Sequence, residues 1–297
     1  MNPPHDRIDD HDLGLAHDLR MLERQAHPRR RALSWLAGAG TLALLGCGGG
    51  GSDGTTSTTT TGSTDSTGTG STGTTTTGSV GSCSVIPEET AGPYPGDGSN
   101  TSGGSLANAL ALSGIVRSDI RASIAGASGV AAGVPLVVKL RLVNTGSSCA
   151  DLSGYAIYLW HCDAVGRYSM YSSGVTGENY LRGVQPTDSS GVATFTTVFP
   201  GCYSGRMPHI HFEVYRSTTT ASAFSNKLKT SQLALPTAIC SQVYDNVSDY
   251  SASIRNLAAI SFATDNVFSD GVSLQLATVT GSNNAGYEAT LTVGISV

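Results

Sequence analysis

Pro200-Gly201-Cys202-Tyr203-Ser204-Gly205-Arg206-Met207-Pro208-His209-Ile210-His211-Phe212-Glu213-Val214-Tyr215 opens on a turn dipeptide and closes on an alternation with a period of two. On a strand, His209, His211 and Glu213 share one face, while Ile210, Phe212 and Val214 share the other and can enter a core. The two imidazoles then stand about 7 Å apart along the backbone, and from that separation both ring nitrogens can reach one ion at about 2 Å. Histidine is scarce, 7 in 297 residues, and four of them (His5, His11, His17 and His27) lie near the N-terminus. A His-x-His pair by itself is better read as hydrogen-bonded surface histidines. The tyrosine in the same run adds a second donor type, and imidazole with phenolate suits a hard oxidised metal such as ferric iron better than zinc.

Working outward, the same alternation recurs. Residues 134–143, 155–161, 191–199 and 209–215 read as strands, and Ser273 to Thr280 and Tyr287 to Val297 as two closing ones. Asn144-Thr145-Gly146, Asp163-Ala164-Val165-Gly166 and Pro200-Gly201 break them. Thr237 to Leu257 is the best stretch for a helix. Short strands separated by turn residues predict an all-β fold, a single β-sandwich domain of antiparallel strands with short helical and loop insertions.

Three segments divide the chain. In residues 1–46, Arg29-Arg30-Arg31 precedes an apolar run to Leu45, shorter than the roughly 20 residues of a membrane span. Leu44-Leu45-Gly46-Cys47 looks like a bacterial lipobox with Cys47 as the acylated residue, and the paired arginines are compatible with either twin-arginine or Sec export. The expectation is an exported lipoprotein, anchored to the membrane on the periplasmic or cell-surface side. Residues 47–81 are Gly, Ser and Thr of low complexity, a tether about 30 Å in end-to-end distance. Residues 82–297 form the domain. With a net charge of -5 and no basic patch, nucleic acid is excluded as a partner. Beyond Cys47 remain Cys83, Cys149, Cys162, Cys202 and Cys240. In an oxidising compartment Cys149–Cys162 and Cys202–Cys240 are the expected disulfides, with Cys83 left over.

The run from Pro200 to Phe212 resembles the P-G-x-Y, R-x-x-H-[IV]-H signature of the intradiol ring-cleavage dioxygenases, of the protocatechuate and catechol dioxygenase type. Three further blocks follow that family's order. Trp160 to Tyr168 is similar to W-x-x-D-x-x-G-x-Y, Leu181 to Gly191 to L-R-G-x-Q-x-T-D-x-x-G, and Glu89 to Tyr94 to E-T-x-G-P-Y. The resemblance implies a non-haem Fe³⁺ cofactor held by Tyr168, Tyr203, His209 and His211, with Tyr203 exchangeable. It implies Arg206 as a stabiliser of developing negative charge, Gln232 as the side chain that orients it, and Gly92, Pro93 and Tyr94 at the pocket rim. The implied partners are O₂ and a catechol-type substrate, opened between its two hydroxyl-bearing carbons to a muconate-type diacid. Tyr155, Tyr158, Tyr171 and Tyr215 are assigned to packing, and a disulfide at Cys202 would restrain Tyr203. The alternative is a cell-surface β-sandwich binding module that retains the fold without catalysis. A cupin is disfavoured because Glu213 follows His211 too closely.

Overall fold

The computed structural model describes residues 84–297. Residues 1–46, the tether, Cys47 and Cys83 lie outside the described residues. Among the described residues, eleven strands and two α-helices follow one another in the order β1 Asp97–Ser102, β2 Ser105–Asn108, β3 Pro135–Asn144, β4 Ala150–Asp151, β5 Ala156–Trp160, β6 Arg182–Pro186, β7 Val192–Val198, β8 His209–Tyr215, β9 Lys229–Ala234, α1 Thr237–Tyr244, α2 Ser251–Ala258, β10 Thr278–Ser282 and β11 Gly286–Ile295.

Two sheets face each other. One has the order β6-β5-β8-β9, antiparallel throughout. The other runs β10-β11-β3-β4, with β7 also paired to β3. Its β3–β11 pairing is parallel, Leu140 opposite Leu291, so the expected antiparallel sandwich carries one parallel seam. The core lies between the sheets. Leu136, Val138, Leu140 and Leu142 of β3, Phe195 of β7 and Val293 of β11 meet Ile157, Leu159, Ile210, Phe212 and Val214 from the opposite sheet. Each fully buried Ile, Leu or Phe contributes about 1.5–3 kcal/mol.

All 7 residues of β8 are buried, so its polar face is covered too. A second apolar cluster lies over that face, with Tyr94, Leu110, Ile115, Tyr158, Trp160, Tyr168, Tyr203 and Tyr215. Covering both faces of a sheet with the imidazole face inward is what creates an interior polar site here. Hairpin β1–β2, β6 and β9 were not read as strands, because Gly, Ser and Asn interrupt the first and the others are short. The stretch expected as one helix is two, α1 and α2, parted by Asp245-Asn246-Val247 and a 3-10 turn at Ser248–Tyr250.

The disulfide expectation is corrected. Cys162, Cys202 and Cys240 are free and buried. Cys149 is disulfide-bonded, and with the other three free its partner lies outside the described residues. The free thiols sit in the interior, where Cys162 Sγ faces the Gly201 carbonyl at 3.5 Å and Cys202 Sγ the Arg206 carbonyl at 3.4 Å.

Tyr158 and Tyr215 pack as expected and also bond, Tyr158 to the Pro95 carbonyl and Tyr215 to Glu213. His161 is structural. Its Nδ1 faces the Cys162 carbonyl at 2.8 Å, its Nε2 the Thr197 hydroxyl at 2.7 Å, and burial pushes its pKa down from 6.5 to about 4. Between those values the unfolded chain binds the extra proton, so acid removes stability, on the order of 3 kcal/mol for this one residue. Replacing His161→Asn should flatten the loss of stability between pH 6.5 and 4, measured by denaturant unfolding across that range.

Candidate metal centre

The block Trp160-His161-Cys162-Asp163-Ala164-Val165-Gly166-Arg167-Tyr168 is a strand end followed by a tight turn. Trp160 stacks flat on His211, with centroids 5.0 Å apart and an interplanar angle of 3°. Asp163 closes the turn. Its Oδ1 accepts the Val165 and Arg167 amides at 3.1 and 2.9 Å, and its Oδ2 accepts Arg167 Nε and the Tyr180 hydroxyl, both at 3.0 Å. Gly166 takes φ +92, and a Cβ there would lie 3.1 Å from Tyr203 Cβ, so the turn packs directly on the second tyrosine. Tyr168 follows, its amide held by Ser172 Oγ at 2.9 Å.

The second block arrives from the other side. The Gly201 amide donates to the Asp163 carbonyl at 3.0 Å, and a Cβ at Gly201 would be 2.5 Å from the Ala164 carbonyl. Helix α2 fixes the next residue, Ser253 Oγ accepting from the Cys202 amide and Asn256 donating to the Cys202 carbonyl, at 2.9 and 2.8 Å. Tyr203 is thereby aimed at β8.

Tyr168, Tyr203, His209 and His211 converge. Ring centroids are 5.8 Å apart for Tyr168–Tyr203, 6.2 Å for Tyr168–His211, 5.7 Å for Tyr203–His209 and 4.7 Å for His209–His211. Tyr203 Oη lies 3.3 Å from His209 Nε2, and the two histidine Nε2 atoms lie 3.0 Å apart.

These donors fit a ferric ion. His209 Nδ1 is 2.6 Å from the Met207 carbonyl, which fixes its proton on Nδ1 and leaves a lone pair on Nε2. That lone pair faces Nε2 of His211. The contact is satisfied by a proton on His211 Nε2, or by a cation that both lone pairs bind. A cation also frees His211 to carry its proton on Nδ1, which faces the Thr90 carbonyl without reaching hydrogen-bond geometry. The Tyr168 hydroxyl is buried with no hydrogen-bond partner, an orphan that a metal would satisfy. Burial, then Arg206, pushes His209 well down; burial, then His209, does so for His211. Both rings are therefore neutral, the ligand form. Burial and the neighbouring Tyr203 push Tyr168 well up, so its ionisation needs a strong positive charge beside it. Among the described residues no group of three His, Cys, Asp or Glu side chains converges as a metal site, and the donor set is two imidazoles with two phenols.

Arg206 sits beside this set, 4% exposed. Its Nη2 donates to Gln232 Oε1 at 2.7 Å, and Gln232 Nε2 donates to the Thr90 carbonyl at 2.9 Å. Gly92, two residues on, takes φ +69 and lies where a Cβ would be 3.2 Å from His211 Cε1. The Tyr94 ring is 5.0 Å from Tyr168, and the Pro93 carbonyl accepts from Asn100 at 2.7 Å. The rim segment, Gln232 and Arg206 are thus one connected unit.

Asp265 was missed from sequence. Its Oδ2 accepts Arg206 Nε at 3.0 Å and the Met207 amide at 2.7 Å; its Oδ1 accepts the Val267 and Phe268 amides at 2.8 and 3.1 Å. It lies 59 positions from Arg206, in a segment with no pattern that marks it. Arg182, in the L-R-G block, carries no sign in the sequence of its structural role. It is a buried clamp between the Tyr94–Pro95 rim and Ser169.

A family described as Dioxygenase matches residues 118–222, a range that contains Tyr168, Tyr203, Arg206, His209 and His211. No curated protein matches the chain. Among solved structures, an intradiol ring-cleavage dioxygenase from Tetranychus urticae is similar, with TM-score 0.54 and 23% identity over 72% of this chain and 95% of that one. A second dioxygenase crystal structure gives TM-score 0.53 and 24% identity over 72% and 95%. Both likenesses are of fold.

Removing one partner of a buried ion pair leaves the other unpaired at a cost of roughly 3–5 kcal/mol. Asp265→Asn should lower unfolding stability by about that amount at neutral pH, measured by urea denaturation; a loss under about 1 kcal/mol would contradict the anchoring role.

Proposed function

We propose that this domain is an intradiol ring-cleavage dioxygenase, a non-haem ferric enzyme that opens a catechol-type ring between its two hydroxyl-bearing carbons. Both atoms of O₂ enter the product, a muconate-type diacid. The convergence of Tyr168, Tyr203, His209 and His211 carries this reading. A binding module has no need of two phenols buried against two neutral imidazoles.

When bound, Fe³⁺ supplies the charge that ionises the phenols and the electronic coupling that lets a catecholate react with O₂. The remaining work belongs to the chain. Tyr203 is 8% exposed, against 1% for Tyr168 and 2% for each histidine, so it is the ligand on the open side. As a phenolate its Oη can accept a proton from an entering catechol hydroxyl. Tyr168, His209 and His211 stay fixed, His209 through its bond to the Met207 carbonyl. Arg206 presents a guanidinium that favours negative charge building on the substrate, and Gln232 and Asp265 hold it in place. Trp160 against His211 and Tyr94 against Tyr168 keep water from the inner side of the ligand set.

The N-terminal sequence motivates a second part of the proposal: export, lipidation at Cys47, and a flexible tether that holds the domain off a membrane surface. Labelled fatty acid should enter the wild-type protein in a bacterial host and not a Cys47→Ser variant; equal labelling removes the anchor.

Iron-loaded protein should be burgundy to reddish brown from tyrosinate-to-iron charge transfer. Tyr203→Phe should weaken that band and reduce catechol turnover by at least tenfold, read by visible absorption and oxygen uptake. A protein that stays colourless with ferric iron, or a variant matching wild type in both measurements, would overturn the assignment.

A further inference from the structure

The point at which the chain enters the domain is fixed by close contacts. The space that a Cβ on Gly294 would need is filled by the Ser84 carbonyl and by Thr145 Cγ2, so Ser84 and Thr145 meet over β11. Two residues on, the Ile86 amide donates to the Gly294 carbonyl at 2.9 Å, and the Ile86 side chain is buried in the sandwich core. Gly294 and Ile295 pair with Val143 and Asn144, so the entry lies at the end of β3. The same end carries Cys149. Its amide donates to the Asn144 carbonyl at 3.1 Å, and its neighbour Ala150 pairs with Asn144. Ser148 and Cys149 take φ +50 and +62, left-handed values that two successive non-glycine residues keep only where their surroundings hold them.

Cys149 is disulfide-bonded, while Cys162, Cys202 and Cys240 are free and at most 3% exposed. The sequence holds 6 cysteines, which leaves Cys47 and Cys83 as partners. Cys83 is one peptide unit from Ser84, about 3.8 Å from Cα to Cα, and a disulfide joins Cα atoms about 4.4–6.8 Å apart. Cys47 is separated from the same point by the whole Gly, Ser and Thr tract. A sulfur that carries a lipid, as proposed for Cys47, cannot also carry a disulfide.

We propose that Cys83 is the partner of Cys149, and that their disulfide clamps the chain where the tether meets the domain and so isolates the rim of the metal centre from the tether. The rim begins directly beyond the clamp. The Glu89 amide donates to the Thr230 carbonyl at 2.9 Å, and the Thr90 carbonyl accepts Gln232 Nε2 at 2.9 Å. Gly92 packs on His211, and the Tyr94 ring is 5.0 Å from Tyr168. Without the bond, movement of the tether reaches these residues through the few from Ser84 to Glu88. Closing the bond removes two protons and two electrons from two thiols. The disulfide of an exported thiol oxidoreductase takes them up and leaves as a dithiol. The three interior thiols are out of such a reagent's reach once the domain has folded.

The test uses the full chain, produced with its own N-terminal segment in a bacterial host and purified without reductant. Thiols are blocked with N-ethylmaleimide in denaturant. The unreduced protein is then cut before aspartate, which puts Cys83 in Asp65–Gly96 and Cys149 in Asp119–Ala150. Mass spectrometry should find these two peptides linked one to one, with Cys162, Cys202 and Cys240 blocked as thiols. A Cys149 peptide linked to Cys47 or to a second copy of itself, or blocked as a thiol, overturns the pairing. Amide hydrogen exchange reads the clamp. In Cys83→Ser and in Cys149→Ser, residues 86–96 should exchange at least about tenfold faster than in wild type while β5 and β8 are unchanged, and the double variant should exceed neither single one. Should the variants not accumulate, folded wild type reduced with dithiothreitol gives the same comparison. Unchanged exchange overturns the clamp while the linked peptides uphold the pairing. Neither readout needs iron or substrate, so the clamp and the catalytic function fail separately.

Discussion

Four buried donors, two imidazole nitrogens and two phenol oxygens, have chiefly one another to face. That is the constraint on which the rest of the domain depends. A polar atom in the interior must find a partner or a charge, and here the nearest partners are themselves lone pairs. The Met207 carbonyl settles the tautomer of His209, Trp160 holds the plane of His211, and the Asp163 turn sets the position of Tyr168. Each element stiffens a donor before any ion is present. The geometry is therefore a property of the fold.

Holding those donors inward requires both faces of the β6-β5-β8-β9 sheet to be covered. Facing the second sheet, Ile210, Phe212 and Val214 join an ordinary sandwich core. On the other face the segment from Glu89 to Gly96 is pinned down by Arg182, whose bonds to Tyr94, Pro95 and Ser169 tie the rim to the loop that carries Tyr168. A charged residue is used here as a structural rivet, its cost of burial offset by a full set of acceptors. The Arg206–Asp265 pair applies the same device to the opposite side and fixes the loop that precedes β8. Function and stability draw on the same bonds, so a change at Asp265 reaches the site without touching a ligand.

Much of this was legible in the residues. The alternation through residues 134–143, 191–199 and 209–215 gave strands whose observed bounds differ by a residue or so, because period-two patterning is written in adjacent positions. The pairing of Tyr168 and Tyr203 with the His-x-His strand was legible through motif order, and the structure brings all four rings within contact. Local patterning failed where the deciding partner is remote. Cys162, Cys202 and Cys240 offered plausible spacing for disulfides, yet all three are free and buried, with the Cys162 and Cys202 thiols facing interior carbonyls. Strands β6 and β9 are too short to show a period, and they exist because β5 and β8 have open edges to pair with.

By itself, then, the sequence determined the sandwich class and the face of β8 that carries the imidazoles. These follow from side-chain chemistry and from a repeat of two residues, both local. Only the tertiary structure decided that Asp265 pairs with Arg206, that Arg182 has no free donor, and that β3 and β11 run parallel. Those are relations between residues up to about 150 positions apart, as for Leu140 and Leu291, and a chain states such distances only when it is folded, because the energy of a charge depends on what else has been buried beside it.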